Sequence, residues 1–255
     1  MTTDWFEHFL PQVRDFIPSD AGLPASLCLS SEGKLRVMYS PFEYVNPDAK
    51  VVLVGITPGL QQANNALVAA RDAVRSGISS AAALRIAKAT ASFSGPMRSN
   101  LIRCLDAIGL QDRLQIASCQ ALFGEHAGVV NYTSVLRFPV FFDGVNYNRQ
   151  IPIRRSPYLQ RWVSSEFAQE VITLRDALWI PLGEQPADVL GEFVRGGQLR
   201  ASQVLSGVPH PSGANAERVA CFCGSKAIEA ASAKTDARKL IADRDRLRVQ
   251  VASAF

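Results

Sequence analysis

The sequence predicts an α/β fold: a three-layer α/β/α arrangement around a central, mainly parallel four-stranded sheet. Three observations predict it. Apolar runs alternate with helical patterns along the chain. The first such run, Val51-Val52-Leu53-Val54, is apolar on both faces, as a central parallel strand covered by helices must be. No repeat and no dividing linker interrupts the alternation over 255 residues, and a chain of this length can bury roughly 70–75% of its unfolded surface in one core.

The elements follow in order. Residues 5–16 carry Trp5, Phe6, Phe9, Leu10, Val13 and Phe16 at helical spacing, with Pro11 inside to kink or split the helix. Residues 27–29 and 35–38, either side of Ser31-Glu32-Gly33, read as a short hairpin. The strand at 51–54 runs into Gly55–Gly59. Residues 61–75 and 81–91 are rich in Ala and Leu and free of Pro and Gly, so both read as helices. A loop at 92–96 precedes a helix over 98–108, stopped by Gly109, and another helix is expected over 112–122. Residues 129–132 are the second strand. Asp143-Gly144 between two apolar stretches signals a hairpin outside the main sheet. A helix over 158–173, a third strand over 177–182, a helix over 186–194, a fourth strand over 203–208 and a closing surface helix over 225–249 complete the pattern. The expected organisation is a single domain over 1–255. An N-terminal helix and hairpin occupy 1–50, the core 51–222, and a C-terminal helix 223–255.

Composition excludes several classes. The chain is 47% hydrophobic and 20% charged, with a net charge of +4. That permits a polyanionic partner without demanding one. No apolar run approaches the ~20 residues of a membrane helix, and the N-terminus, MTTDWFEHFL, has no basic n-region and does not read as a secretory signal. The five cysteines are scattered and odd in number; without a C-x-x-C pair they suggest neither a disulfide framework nor a metal site. A soluble cytoplasmic monomer with no metal and no cofactor is expected.

Ligands of open α/β sheets bind outside the carboxyl ends of the strands. Three segments are expected there: Gly55-Ile56-Thr57-Pro58-Gly59 after the first strand, Asn131 in the second, and Pro209-His210-Pro211-Ser212-Gly213-Ala214-Asn215 after the fourth. Each alone has an ordinary structural explanation: a turn, a loop tie, a buried histidine.

In this order the three segments, VVLVGITPG, VVNYTSV and GVPHPSGAN, resemble the uracil-DNA glycosylase superfamily, over residues 51 to about 222. Ser92-Phe93-Ser94-Gly95 lies where that family carries a base-stacking aromatic. The resemblance implies a monofunctional DNA glycosylase that flips a base from single- or double-stranded DNA and hydrolyses its N-glycosidic bond, leaving an abasic site. A neutral His210 is then implied as the donor to the departing base, a preorganised group that stabilises charge in the transition state. Thr57 would position water. Gly55, Ile56 and Gly59 would bring backbone to the base, Asn131 would read its pairing edge, and Phe93 would stack on it or serve as core. Ser212, Asn215 and Arg218 would meet the DNA backbone.

Two departures from the family pattern bear on chemistry. Thr57 stands where many relatives carry Asp or Asn, and a hydroxyl is a poor base at neutral pH. Glu43, Glu125 and Asp143 are alternative carboxylates. The segment after His210 also lacks a bulky wedge. A basic stretch, Arg137, Arg149, Arg154 and Arg155 with Phe138, Tyr147 and Tyr158 between, reads either as a nucleic-acid-facing excursion or as a solvated hairpin. Uracil is the family's default base. A bulky modified phage base excised in antiviral defence, rather than DNA repair, is the alternative, as is a catalytically weak reader of modified bases. The absence of a G-x-S-x-G elbow counts against a hydrolase of another class.

Overall fold

The computed structural model describes residues 4–254; the remaining four, which the expected domain also spans, lie outside the described residues. In chain order the elements begin with α1 (Trp5–Arg14), β1 (Cys28–Glu32), β2 (Leu35–Met38), β3 (Val51–Gly55), α2 (Leu60–Arg75) and α3 (Ser80–Ala91). They continue with α4 (Pro96–Ala107), α5 (Leu110–Leu114), β4 (Val130–Ser134), β5 (Val140–Phe142), β6 (Val145–Asn146) and α6 (Pro157–Trp162). The last are α7 (Ala168–Thr173), β7 (Leu178–Pro181), α8 (Glu184–Arg195), α9 (Ala216–Phe222) and α10 (Ala237–Ala252).

The chain divides into two compact units, each assembled from separate stretches. The first takes the chain up to Val45, Ile56–Ser92 and Tyr132–Glu170; the second takes Asn46–Gly55, Phe93–Asn131 and the chain from Val171. No linker composition marks these crossings.

The first unit holds an antiparallel sheet in the order β1-β2-β5-β6. The expected N-terminal hairpin and the expected Asp143-Gly144 hairpin both form, and they join: Leu35 stands opposite Phe142 and Val37 opposite Val140. Asp143 and Gly144 both take positive φ, at 53° and 81°, the geometry of a tight hairpin turn. Helix α1 is capped by Asp4, whose carboxylate accepts the Glu7 N–H at 3.2 Å, and it buries Phe6, Phe9 and Val13. Phe9 stacks on Tyr39 at 4.4 Å between ring centroids. Pro11 stays inside one continuous helix; it is exposed, on the face away from that packing.

The expected helix over 158–173 forms as α6 and α7 joined by a π-helical turn, Val163–Phe167. Arg137 accounts for the irregularity. Its guanidinium donates to Glu166 Oε2 at 2.7 Å, to Glu170 Oε1 at 2.9 Å and to the Glu166 carbonyl at 3.0 Å. A carbonyl held by a side chain is a recognised cause of a disturbed helical ladder.

The second unit carries the parallel sheet, ordered β4-β3-β7. Strand β3 is wholly buried, and Val51 to Val54 pair in parallel with Leu178 to Pro181. Strand β4 begins at Val130 and Asn131 and leads out of the unit. The segment expected as a fourth strand makes a 3-10 turn at Ala201–Gln203 and a single parallel bridge, Val204 to Trp179. The Gln203 amide is drawn to the Arg175 and Ala177 carbonyls, and Gly207, at φ 124°, turns the chain before a ladder can extend.

Two expected helices are shorter than their patterns. Past α5, the Asp106 carboxylate accepts from the Ser118 hydroxyl at 2.8 Å and the Cys119 N–H at 2.7 Å, bonds that compete with a continuing helix. Before α10, Glu217 collects Lys226, Ser232 and Thr235, which holds that stretch as loop. Among the described residues no helix is long and apolar enough to cross a membrane.

Candidate functional site

Ile56, Thr57 and Gly59 belong to the first unit, where the turn after β3 is laced to the segment that leads into the Asp143-Gly144 hairpin. The Leu136 N–H donates to the Ile56 carbonyl at 2.9 Å. The Thr57 hydroxyl donates to the Phe138 carbonyl at 2.9 Å and accepts the Val140 N–H at 3.0 Å. The Asn146 side chain caps α2 by accepting the Leu60 N–H at 2.9 Å, and an ideal Cβ on Gly59 would stand 3.4 Å from that amide. The Thr57 proton is committed to a backbone carbonyl, leaving one lone pair for any other contact.

Gly55, Phe93, Asn131, His210, Ser212, Asn215 and Arg218 all belong to the second unit. The His210 loop leaves the carboxyl side of the parallel sheet. Upstream of it the Leu205 N–H donates to the Trp179 carbonyl at 2.8 Å, and the Val208 carbonyl accepts the Gly183 N–H at 2.9 Å. Gly183, at φ 94°, opens α8, and a Cβ there would meet the His210 Cβ at 3.3 Å. A glycine is needed at that point for both its conformation and the close packing. Asn100, on α4, donates to the Pro211 carbonyl at 3.1 Å.

Within the loop, His210 Nδ1 accepts the Ser212 N–H at 3.3 Å. An accepting Nδ1 leaves Nε2 as the N–H donor of the neutral ring. The Ser212 hydroxyl accepts from the Asn215 amide at 3.0 Å. His210, Ser212 and Asn215 thus form one hydrogen-bonded group. Arg218 lies exposed on α9, which has seven residues and starts at Ala216.

Asn131 is buried at 2% exposure, and its Oδ1 accepts the Asn46 N–H at 3.0 Å. Asn46 in turn donates to the Gly128 and Val130 carbonyls. Phe93 is buried and holds a positive φ of 50°, a conformation that costs on the order of 1–3 kcal/mol for a residue with a side chain.

The basic stretch separates into two kinds of residue. Arg149, Arg154 and Arg155 are exposed. Arg137 is not a surface arginine: it is 11% exposed and paired with Glu166 and Glu170. The interleaved aromatics Phe138, Tyr147 and Tyr158 are core residues, 1%, 4% and 2% exposed, so they offer no stacking platform.

The three alternative carboxylates also separate. Asp143 is exposed and pairs with Lys34 at 2.7 Å, and Glu125 is exposed. Glu43 has both carboxyl oxygens buried, beside the equally buried Tyr39 hydroxyl. Burial pushes its carboxyl up to about 7, against the pull of Tyr39, Arg137 and Lys88. Lys88, 2% exposed, donates to the Tyr44 carbonyl, and burial lowers its ammonium to about 8. The sequence signal for Lys88 was available: it sits on the face of α3 marked by Ala83, Ala87 and Ala91.

A cleft of about 670 Å³ in the second unit lies at the other end of the sheet, where Lys50 and Ala177 enter β3 and β7, with His126 and Asp176 on its wall. None of the expected site residues lines it. Among the described residues no group of three His, Cys, Asp or Glu side chains is arranged to hold a metal ion.

No family model matches the chain, and no solved structure matches it. It is 37% identical over 222 residues to a protein of Bacillus subtilis (strain 168) described as "Uncharacterized protein YoxB", an alignment that covers 86% of each chain. Identity of that extent over nearly the whole of both proteins places the chain in the same family as the Bacillus protein YoxB.

Proposed function

We propose that this protein is a DNA glycosylase of the uracil-DNA glycosylase type, cleaving the N-glycosidic bond of a flipped base without a metal or cofactor. The observation that carries the reading is the His210 loop. The imidazole's Nδ1 accepts a backbone N–H, and its loop, with a proline on either side of His210, is tied to α4 and packed on Gly183; in this reading Nε2–H is the donor to the departing base. Such a donor stabilises the negative charge that develops on a departing base. The Val204 bridge to Trp179 supports a fourth strand position in the sheet, and with it the three-layer α/β/α arrangement. In this reading Ser212, Asn215, Arg218, Arg149, Arg154 and Arg155 meet the DNA backbone.

The test is single-turnover excision, with enzyme in excess, on single- and double-stranded oligonucleotides carrying uracil, other deaminated bases or bulky modified bases. Abasic sites formed from one of these, and lost in His210→Ala, are the expected result. A second reading, a modified-base reader with little turnover, is favoured by one observation: the Thr57 hydroxyl is committed to Phe138 and Val140 and contributes little to water. Tight, base-selective binding with no abasic product would select it.

A further inference from the structure

Two cysteines 119 residues apart in sequence meet in the second unit. Cys104 lies inside α4 and Cys223 caps the end of α9, and their Sγ atoms stand 4.0 Å apart. The two differ in surroundings. Cys104 is fully buried, whereas Cys223 is half-exposed and is followed by Gly224 in a left-handed turn. Arg103 hydrogen-bonds Ser225 at 2.8 Å, and Arg244 reaches the Phe222 carbonyl at 3.5 Å; both guanidiniums therefore border the Cys223 end of α9.

We propose that Cys104 and Cys223 are a redox modification site, closing to a reversible disulfide when the protein meets a peroxide. The chemistry divides between them. The hydrogen bond shared with Cys104, with Arg103 and Arg244, draws the Cys223 thiol below its ordinary value against the cost of burial. The same hydrogen bond and burial push the Cys104 thiol up. Cys223 is therefore the attacking thiolate. Its sulfur bonds to one peroxide oxygen, the O–O bond breaks, and the departing hydroxide takes a proton to become water. The Cys104 sulfur then displaces hydroxide from the Cys223 sulfenic acid as its own proton passes to that hydroxide. Two thiols and one hydrogen peroxide give one disulfide and two waters.

Closure requires the sulfurs to approach from 4.0 Å to about 2.05 Å. Cys223, at a helix end before a glycine, can supply the movement; Cys104, mid-helix, cannot. The remaining cysteines are placed otherwise. Cys119 and Cys221 are buried and Cys28 is exposed. The bond would join α4, whose Asn100 holds Pro211, to the helix that follows Ser212 and Asn215, so oxidation would also stiffen the His210 loop.

The experiment treats the full chain with hydrogen peroxide, alkylates what remains under denaturing conditions, and maps the peptides by mass spectrometry. Loss of the Cys104 and Cys223 thiols, a Cys104–Cys223 cross-linked peptide and its disappearance on reduction are expected, with slower amide exchange over residues 209–215 in the oxidised form. In Cys104→Ser a sulfenic-acid trap should label Cys223. In Cys223→Ser, Cys104 should remain a thiol. Recovery of both Cys104 and Cys223 as free thiols under conditions that oxidise exposed Cys28 would overturn the proposal, and the wild-type map decides even if a variant fails to fold.

Discussion

The Ser212 N–H reaches back two residues to His210 Nδ1, at 3.3 Å, so the backbone of the loop sets which nitrogen of the neutral ring carries the proton. Removing one preorganised donor of this kind costs about 10²–10³ in rate. His210→Ala should lower single-turnover excision by that order while DNA affinity stays near wild type. Asn100→Ala, which unties Pro211, should give a smaller loss in the same assay. Full excision by a folded His210→Ala protein would remove the main support for the glycosylase reading.

Thr57 carries a structural role that can be separated from a catalytic one. Thr57→Val keeps the shape and leaves the Phe138 carbonyl and Val140 N–H unpaired, at about 1–3 kcal/mol. Thr57→Ser should retain both bonds. Thr57→Asp would set a carboxylate against the Phe138 carbonyl and should destabilise more than Thr57→Val, whatever it does for water. Urea denaturation of the three variants gives the order; equal stability of all three would show that the two hydrogen bonds matter little.

Glu43 and Lys88 should shape the pH dependence of stability in opposite directions. Glu43 titrates at about 7 in the fold and 4.5 as a free side chain, so between these values the native state holds the extra proton. Stability then falls as pH rises from 4.5 to 7, by on the order of 3 kcal/mol. Lys88 titrates at about 8 in the fold against 10.5; there the unfolded chain holds the extra proton, and stability recovers as pH rises from 8 to 10.5. Glu43→Gln should flatten the first slope and Lys88→Met the second. Unfolding free energies measured across both windows check the signs, and slopes that persist in the variants would assign them to other groups.

The parallel pair β3 and β7 was legible because Val51–Val54 and Leu178–Pro181 are apolar on both faces, a pattern that only a covered strand carries. The second sheet was only half legible. Each hairpin shows its own turn signal, but nothing local says that Val37 will pair with Val140. The same limit hid the meeting of Cys104 with Cys223 and of Arg137 with Glu166 and Glu170, which are set by tertiary packing. Among the candidate residues, the sequence marked Thr57 in the first unit and Asn131 in the second by residue type. Which backbone groups they bond, Phe138 and Val140 for one and Asn46 for the other, depends on loops whose paths no periodicity encodes.

The arginines of the basic stretch should now divide by experiment. Arg137 neutralises Glu170, which is fully buried, and Glu166, 17% exposed. Arg137→Met would leave a buried carboxylate uncompensated, a change that costs about 3–5 kcal/mol. Arg154→Ala and Arg155→Ala remove exposed side chains and should leave stability within about 0.5 kcal/mol. If these two meet phosphates, each substitution should weaken DNA binding regardless of base and lower the salt slope by about 0.9 on duplex or about 0.7 on single strands. Denaturation midpoints and binding isotherms at several salt concentrations separate the two roles. An Arg137→Met protein as stable as wild type would undo the buried-pair assignment, and an unchanged salt slope in the Arg154→Ala, Arg155→Ala double variant would return that stretch to ordinary surface.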